Sequence, residues 1–543
     1  MSDDEPTQIE AITTGYAFEG PSITLGAAVV DGSPVAEAVV ALPLSSMNRH
    51  GLVAGATGTG KTVTLQLMAE QLSAAGVPVF LADVKGDLSG LATPSPGHPK
   101  IDARMESLGM PWQPTAYPVE FLRLGGEGTG VPVRATISAF GPILLSKVLG
   151  LNDTQESSLG LVFHYADKNG LALLDLKDLQ AVVQHLLSDE GKADLKGLGG
   201  LASSTAGVIL RELIAFSAQG ADDFFGEPEF DAADLLRTDE DGLGVITALE
   251  LPSVRDQPVV FSTFLMWLLA ELFQDLPEVG DQDKPKLVFF FDEAHLLFDD
   301  ASKAFLDAVE QAVRLIRSKG VGIFFVTQAP TDVPDGVLAQ LGNRVQHALR
   351  AFTPNDAKAL KATVSTFPTS DYDLAQTLTS LGTGEAIVTV LSERGAPTPV
   401  AWTMLRAPQS TMGPSQGGVM EASVASSPLL ARYAEVLDRE SAYEKLSARL
   451  EPEPETSGES KSAGGRVSDL EAELERAAND GQWPEEKVGT PPTRSQTPVE
   501  DEESMVEKVV SSPAFRSMMR SAGTVIGREI SRSVFGTARR RSR

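Results

Sequence analysis

The chain has no cysteine, which excludes disulfides, thiolate zinc sites and thiol nucleophiles. Its six histidines are scattered, with no H-x-x-x-H or similar spacing, so a histidine-held metal is not expected. No apolar run is long enough for a bilayer, which takes ~20 residues. Val259 to Phe273 and Leu287 to Phe291 are too short or too interrupted, so no integral membrane segment is expected. A basic stretch leading into an apolar one is also missing at the start: Met1 to Glu10 is acidic and polar, against a cleaved secretory signal. These absences lead to the expectation of a soluble cytoplasmic protein. Positive charge is scarce: 45 Lys and Arg against 74 Asp and Glu leave a net charge of −29. That is a poor match for coating nucleic acid nonspecifically, because phosphate affinity comes from clustered Lys and Arg. A locally basic channel or face is still compatible with it.

What is present is an alternation of apolar strand-like runs and amphipathic helices. Arg49 to Asp83 reads as strand, glycine-rich loop, helix and strand: Gly51 to Ala54, then Val63 to Ala74, then Val77 to Ala82. From about Pro94 to Leu236 the pattern changes. Two strand-like stretches, Val119 to Leu124 and Val131 to Ile137, precede helices at Pro142 to Leu149, Thr154 to Asp167, Leu176 to Leu187 and Ser203 to Phe216. This reads as a mainly helical insertion. The alternation resumes with strands at Gly244 to Leu249, Lys286 to Phe291, Val321 to Thr327, Arg344 to Arg350 and Glu385 to Val390. Helices are expected at Val259 to Leu276 and Lys303 to Ser318. Strands alternating with helices mean a mainly parallel sheet. The expected fold class is α/β, a mainly parallel sheet with a helical insertion and a partly disordered C-terminal extension.

The expected domain plan is a short segment at 1–48, a main α/β domain at 49–407 with the insertion at 94–236, an acidic linker at 408–505 and a basic helix and tail at 506–543. Within it, Pro408 to Gly418 reads as linker and Pro428 to Leu450 as a helix. Glu451 to Glu503 is rich in Glu, Ser, Pro and Thr and reads as disordered apart from a short helix near Val467 to Ala478. Arg516 to Arg543 holds eight arginines against one glutamate. No internal repeat is evident.

Gly55-Ala56-Thr57-Gly58-Thr59-Gly60-Lys61-Thr62 fits G-x-x-x-x-G-K-[ST] and lies between a strand and a helix, the context that separates a phosphate loop from a chance glycine-rich turn. Its glycines let backbone N–H groups wrap phosphate oxygens, and the helix N-terminus adds a favourable dipole. Lys61 would neutralise charge between the β- and γ-phosphates, and the Thr62 hydroxyl is a hard oxygen ligand for Mg²⁺. The expected fold is therefore that of a RecA-like P-loop NTPase, and the expected nucleotide-binding set is Gly55 through Thr62 plus Val63, with ATP and Mg²⁺ as the bound species.

Such a loop needs an acid on a neighbouring strand. Leu287-Val288-Phe289-Phe290-Phe291-Asp292-Glu293 supplies a buried strand ending in two carboxylates. Asp292 is expected to hold Mg²⁺ and Glu293 to polarise the attacking water. Gln328 closes the next strand and is expected beside Glu293, where an amide could sense the γ-phosphate. Arg314 and Arg317 fall on one flank of the intervening helix, at ~100° per residue. They read either as an arginine finger, in the same or a neighbouring subunit, or as a solvated basic edge.

These residues resemble the HerA/FtsK group of ring ATPases, most closely the HerA-like helicase family represented by YjgR. The resemblance is carried by Gly55 to Thr62, Asp83 to Gly90, Leu149 to Glu156, Asp292-Glu293-Ala294-His295, Arg314 to Gln328, Leu381 to Ala386 and Gly523 to Ile530. It covers about Ile9 to Ala407 and then the tail. It implies the roles just given to Lys61, Thr62, Asp292, Glu293 and Gln328, and it favours an arginine finger at Arg314 or Arg317. It also implies a homo-hexameric ring with ATP at subunit boundaries. HerA proteins carry a β-barrel domain before the ATPase, whereas here Met1 to His50 precede the first core strand.

Two function classes follow. One is an ATP-driven motor moving nucleic acid, possible double-stranded DNA, through a ring. The other is an ATPase that remodels or scaffolds an unidentified protein partner. A two-domain helicase is rejected: no Q-R-x-G-R-type arginine motif follows Thr327, and the chain beyond Ala407 cannot bury a second core. In the tail, Arg516/Arg520 and Arg528/Arg532 are spaced to share a helix flank, and Val525, Ile526, Ile530 and Val534 would give it an apolar side.

Overall fold

Alternate side chains of a strand face opposite ways, so a strand covered on both sides needs apolar residues at every position. Leu287–Phe291 is such a strand. Phe289 and Phe291 enter the core cluster on one face of the sheet, while Val288 and Phe290 enter the cluster on the other. All five residues are buried. In the computed structural model the described residues are 7–450, apart from 125, 127, 197–198, 252–257, 281, 299–300 and 302. The expected features beyond 450, including the acidic linker's short helix and the basic tail, lie outside them.

Among the described residues the strands are β1 (Ser22–Val30), β2 (Ser33–Pro43), β3 (Gly51–Ala54), β4 (Val79–Asp83), β5 (Val119–Leu124), β6 (Val131–Val133), β7 (Ile246–Glu250), β8 (Leu287–Phe291), β9 (Val321–Thr327), β10 (Asn343–Gln346), β11 (Glu385–Thr389) and β12 (Ala401–Leu405). They form one sheet in the order β2-β1-β12-β11-β10-β3-β9-β8-β4-β7-β5-β6. From β10 to β6 every neighbouring pair is parallel. From β10 back to β2 every pair is antiparallel. The mainly parallel α/β architecture expected from the alternation is therefore present.

Helix α1 (Lys61–Ala74) packs Leu65, Met68 and Leu72 on one face of the sheet. Helices α2 (Pro258–Asp275) and α3 (Lys303–Ile316) cover the other with Phe264, Leu268, Val309 and Val313. The helices of the insertion, Pro142–Val148, Asp153–Lys168, Leu176–Leu187 and Ser203–Ser217, share that second core.

Four details differ from the sequence reading. The strand expected over Val131 to Ile137 stops at Val133, because Thr136 caps a short helix, its Oγ1 accepting from the Ala139 N–H at 3.1 Å. The residues before β3 form the β1–β2 hairpin and extend the same sheet. Pro408 to Gly418 is pinned rather than loose: the N–H groups of Gln409 and Ser410 each donate to the buried Glu70 carboxylate at 2.8 Å. The helix expected over Pro428 to Leu450 is split into Leu430–Tyr433 and Ala442–Leu450. Tyr433 is fully buried, and its hydroxyl donates to Asp234 at 2.6 Å, which holds the first piece to the core.

Candidate nucleotide site

The register fixes which loops meet. Ala54 pairs with Thr327, Phe291 with Phe325, Ala82 with Phe291 and Asp83 with Glu250. The C-terminal ends of β3, β9, β8, β4 and β7 thus form one edge, the edge at which ligands bind in open parallel sheets. The acid was expected on a strand beside β3. Instead β9 lies between β3 and β8, so the glycine-rich loop and the acids are separated by the strand that carries Gln328.

Gly55 to Gly60 leave the end of β3 and Lys61 opens α1. Gly60 has φ 115°, a region that side-chain-bearing residues avoid. A Cβ on Gly55 would lie 2.5 Å from the Cβ of His347, so the loop rests directly on that residue. His347 is fully buried, and burial pushes its imidazole down to about 4. In the neutral ring Nδ1 donates to the Glu385 carbonyl at 3.0 Å, which leaves Nε2 to accept from Thr64 at 2.9 Å. The loop is further held by the N–H of Ala56 on Ala348 O at 2.8 Å and the N–H of Gly384 on Thr59 O at 3.1 Å. Lys61 is buried, and its Nζ donates to Gly55 O at 2.8 Å and Ala56 O at 3.4 Å. Burial lowers its pKa, opposed by Glu293. Thr62 and Val63 follow it, both partly exposed.

Asp292 is completely buried, and among the described residues neither carboxylate oxygen has a hydrogen-bond partner. Burial pushes it up to about 6, against the pull of Lys85, with Glu293 adding to the rise. Glu293 occupies a left-handed backbone conformation at φ 47°, uncommon away from glycine and often found at functional sites. Its Oε1 lies 2.5 Å from Lys85 Nζ and its Oε2 3.3 Å from His295 Nδ1. Burial alone would raise its pKa; the Lys85 ion pair outweighs this and holds it below the ordinary value.

The sequence reading gave no role to Lys85, Arg350, His347 or Glu250. Lys85 sits on the loop after β4, within Asp83 to Gly90, which already carried the family resemblance. Arg350, beyond β10, donates from Nη2 to Thr57 O at 3.4 Å. Glu250 ends β7 beside Asp83. Their sequence signal is position at the ends of parallel strands.

Gln328 is exposed at the end of β9. With Ala56, Thr57, His295, Arg350 and Phe352 it lines an open cleft of about 830 Å³. A smaller cavity of about 280 Å³ lies on the other flank of the loop, between Gly60, Val63, Arg104, Thr383, Leu405 and Met412. The structure does not bring Arg314 and Arg317 to this edge. They lie at the end of α3, just before β9 begins at Val321. Arg317 acts on His50, which precedes β3 and accepts from the Ile323 N–H at 3.0 Å. The length of β9, about 20 Å at ~3.3 Å per residue, separates them from the glycine-rich loop of their own chain.

Mg²⁺ fits the residues present. Among the described residues no group of three or more His, Cys, Asp or Glu could hold a metal by protein ligands alone. A nucleotide-site Mg²⁺ takes one or two protein oxygens and completes its shell with phosphates and water. The orphaned Asp292 carboxylate meets that requirement.

The model for the family described as "Helicase HerA-like C-terminal" matches residues 30–543. The chain belongs to that family. It therefore carries a HerA-like P-loop NTPase fold. It is 21% identical over 352 residues to the DNA double-strand break repair helicase HerA of Sulfolobus acidocaldarius, and 23% identical over 355 residues to its namesake from Sulfurisphaera tokodaii. In both cases the match spans 64% of this chain and 64% of the relative's length. The bacterial conjugative coupling protein TrwBdeltaN70 is similar at 16% identity and a TM-score of 0.48, over 74% of this chain and 92% of that one. No described helix is long and apolar enough to cross a membrane.

Proposed function

We propose that this HerA-like chain is a Mg²⁺-dependent ATPase that works as a ring and moves DNA. The observation that carries the reading is the pairing, at one sheet edge, of a phosphate loop ending in Lys61 with a buried Asp292 carboxylate, free of hydrogen bonds among the described residues, followed by Glu293. Loop N–H groups and Lys61 would take the phosphates, and the apolar cavity beside Val63 would take the base. Thr62 and Asp292 would hold Mg²⁺, which shields the charge developing on the transferred phosphoryl group. Glu293 orients the attacking water and accepts its proton, and Gln328, which lines the open cleft with Ala56 and Thr57 of the glycine-rich loop, would sense the γ-phosphate.

Assembly as a homo-hexamer is supported by where two arginines of the described residues stand. Arg314 and Arg317 stand at the far edge of their own sheet, while the cleft of about 830 Å³ beside Gln328 and Arg350 is open. A neighbouring subunit presenting that far edge would supply the arginine. DNA as the moving partner follows the named activity of the two HerA relatives.

The net charge of −29 favours a second reading, an ATPase that remodels a protein partner. The discriminating experiment measures ATP turnover with and without double-stranded DNA across a salt series. A DNA motor shows stimulation that weakens as salt rises. A flat response removes DNA and leaves the protein partner.

A further inference from the structure

We propose that Lys85 is a resident counter-ion of the acid pair, standing between Asp292 and Glu293 until a Mg²⁺–nucleotide displaces it. This inference rests on the nucleotide-site reading above.

Lys85 Nζ lies 2.5 Å from Glu293 Oε1 and 3.6 Å from Asp292 Oδ2. One ammonium thus bridges the carboxylate assigned to the metal and the carboxylate assigned to the water. Asp292 is fully buried, and both its oxygens lack a hydrogen-bond partner among the described residues; a buried carboxylate needs a compensating charge. Lys61 does not fill that need directly, because its Nζ donates to the carbonyls of Gly55 and Ala56.

The loop that presents Lys85 is built to hold still while the side chain moves. The buried Asp83 carboxylate accepts N–H bonds from Lys85 at 3.1 Å, Gly86 at 2.8 Å, Asp87 at 3.4 Å and Leu88 at 2.8 Å. The backbone is thereby pinned at the end of β4, yet the Lys85 side chain is 38% exposed and has a route to solvent. Asp87, on the same loop, has Oδ1 without a hydrogen-bond partner and attracts the Lys85 charge, offering it a second berth.

A divalent cation beside Asp292 and an ammonium beside the same oxygen repel each other strongly at such range. The two therefore exclude one another, and nucleotide loading releases Glu293 from the ion pair. Lys85 thereby clamps Glu293, so the water-activating carboxylate is withheld until a Mg²⁺–nucleotide takes the ammonium's place.

The test titrates Mg²⁺ against a fluorescent ATP analogue bound to the full-length chain, reading the Mg²⁺ concentration at half-maximal binding. Wild type is compared with Lys85→Gln, Lys85→Met and Lys85→Arg. Losing the competing charge should lower the midpoint by about tenfold in Lys85→Gln and Lys85→Met, and Lys85→Arg should stay near wild type. Binding of the analogue in EDTA should be the same in all four. An unchanged or raised midpoint in both neutral variants overturns the proposal. So does weaker binding in EDTA, which would make Lys85 a phosphate ligand instead. If wild type binds no nucleotide with Mg²⁺, the nucleotide-site reading itself fails and takes the proposal with it. Because the neutral variants are compared with an arginine of like charge, a merely structural role for the stem does not imitate the expected pattern.

Discussion

The Nζ of Lys61 donates to the carbonyl oxygen of Gly55 at 2.8 Å, six residues back along its own loop. The ammonium is thus held by acceptors weaker than phosphate, and in the proposed mechanism it would exchange them for ATP oxygens. Lys61→Ala should abolish nucleotide binding or hydrolysis while leaving the fold intact. In wild type, ATP at about 100 times its Kd should stabilise the chain by about 2.7 kcal/mol. In Lys61→Ala that rise in Tm should vanish, with the ligand-free Tm close to wild type. Full turnover in the variant would remove the loop from the mechanism.

Arg314 and Arg317 lie beyond the start of β9, away from the glycine-rich loop, so in the proposed ring they would act on phosphate across a subunit boundary. A variant carrying Arg314→Ala and Arg317→Ala should bind ATP normally and turn it over slowly. Mixed with Lys61→Ala chains it should regain part of the activity, since each parent supplies what the other lacks. Absence of rescue at every mixing ratio would assign both arginines to the surface of α3 and its following turn.

Glu250 ends β7 with its Oε1 unpartnered, and burial, then Asp83 and Asp87, push its carboxyl up to about 8. The folded chain therefore keeps a proton that the unfolded chain, near 4.5, has released. Stability from this group is fully present below pH ~4.5 and is lost as pH rises through ~8. Glu250→Gln should flatten the fall in Tm between those limits, with a gain over wild type above pH 8 on the order of a few kcal/mol. Parallel Tm curves for the two proteins would show that Glu250 is ionised in the fold.

The parts legible in the sequence were those whose signal is local. Gly55 to Thr62 is contiguous, and the acids at 292 and 293 stand at the end of a run that can only be a doubly covered strand. Nothing local reports that β9 inserts between β3 and β8, because strand order is set by how helices cross the sheet. Lys85 and Arg350 escaped for the same reason: each lies near the loop or the acids only through the parallel register. The β1–β2 hairpin was missed because β1 is Gly- and Ala-rich over Gly26-Ala27-Ala28, weak strand formers. The helix carrying Arg314 ends at Ile316, which leaves Arg317 on the following turn, and helical spacing does not say where a helix stops or which edge of the sheet its end reaches.

The central claim is that Glu293 activates the water that attacks an ATP held by Lys61 and, through Mg²⁺, by Asp292. The most direct measurement is ATP affinity and phosphate release on the same preparation of Glu293→Gln and wild type, with Mg²⁺ and with EDTA. The account predicts that wild type releases phosphate with Mg²⁺ alone, and that Glu293→Gln binds ATP as tightly but turns it over ~10²- to 10⁴-fold more slowly. Turnover of Glu293→Gln at the wild-type rate, or wild-type turnover that persists in EDTA, would contradict it.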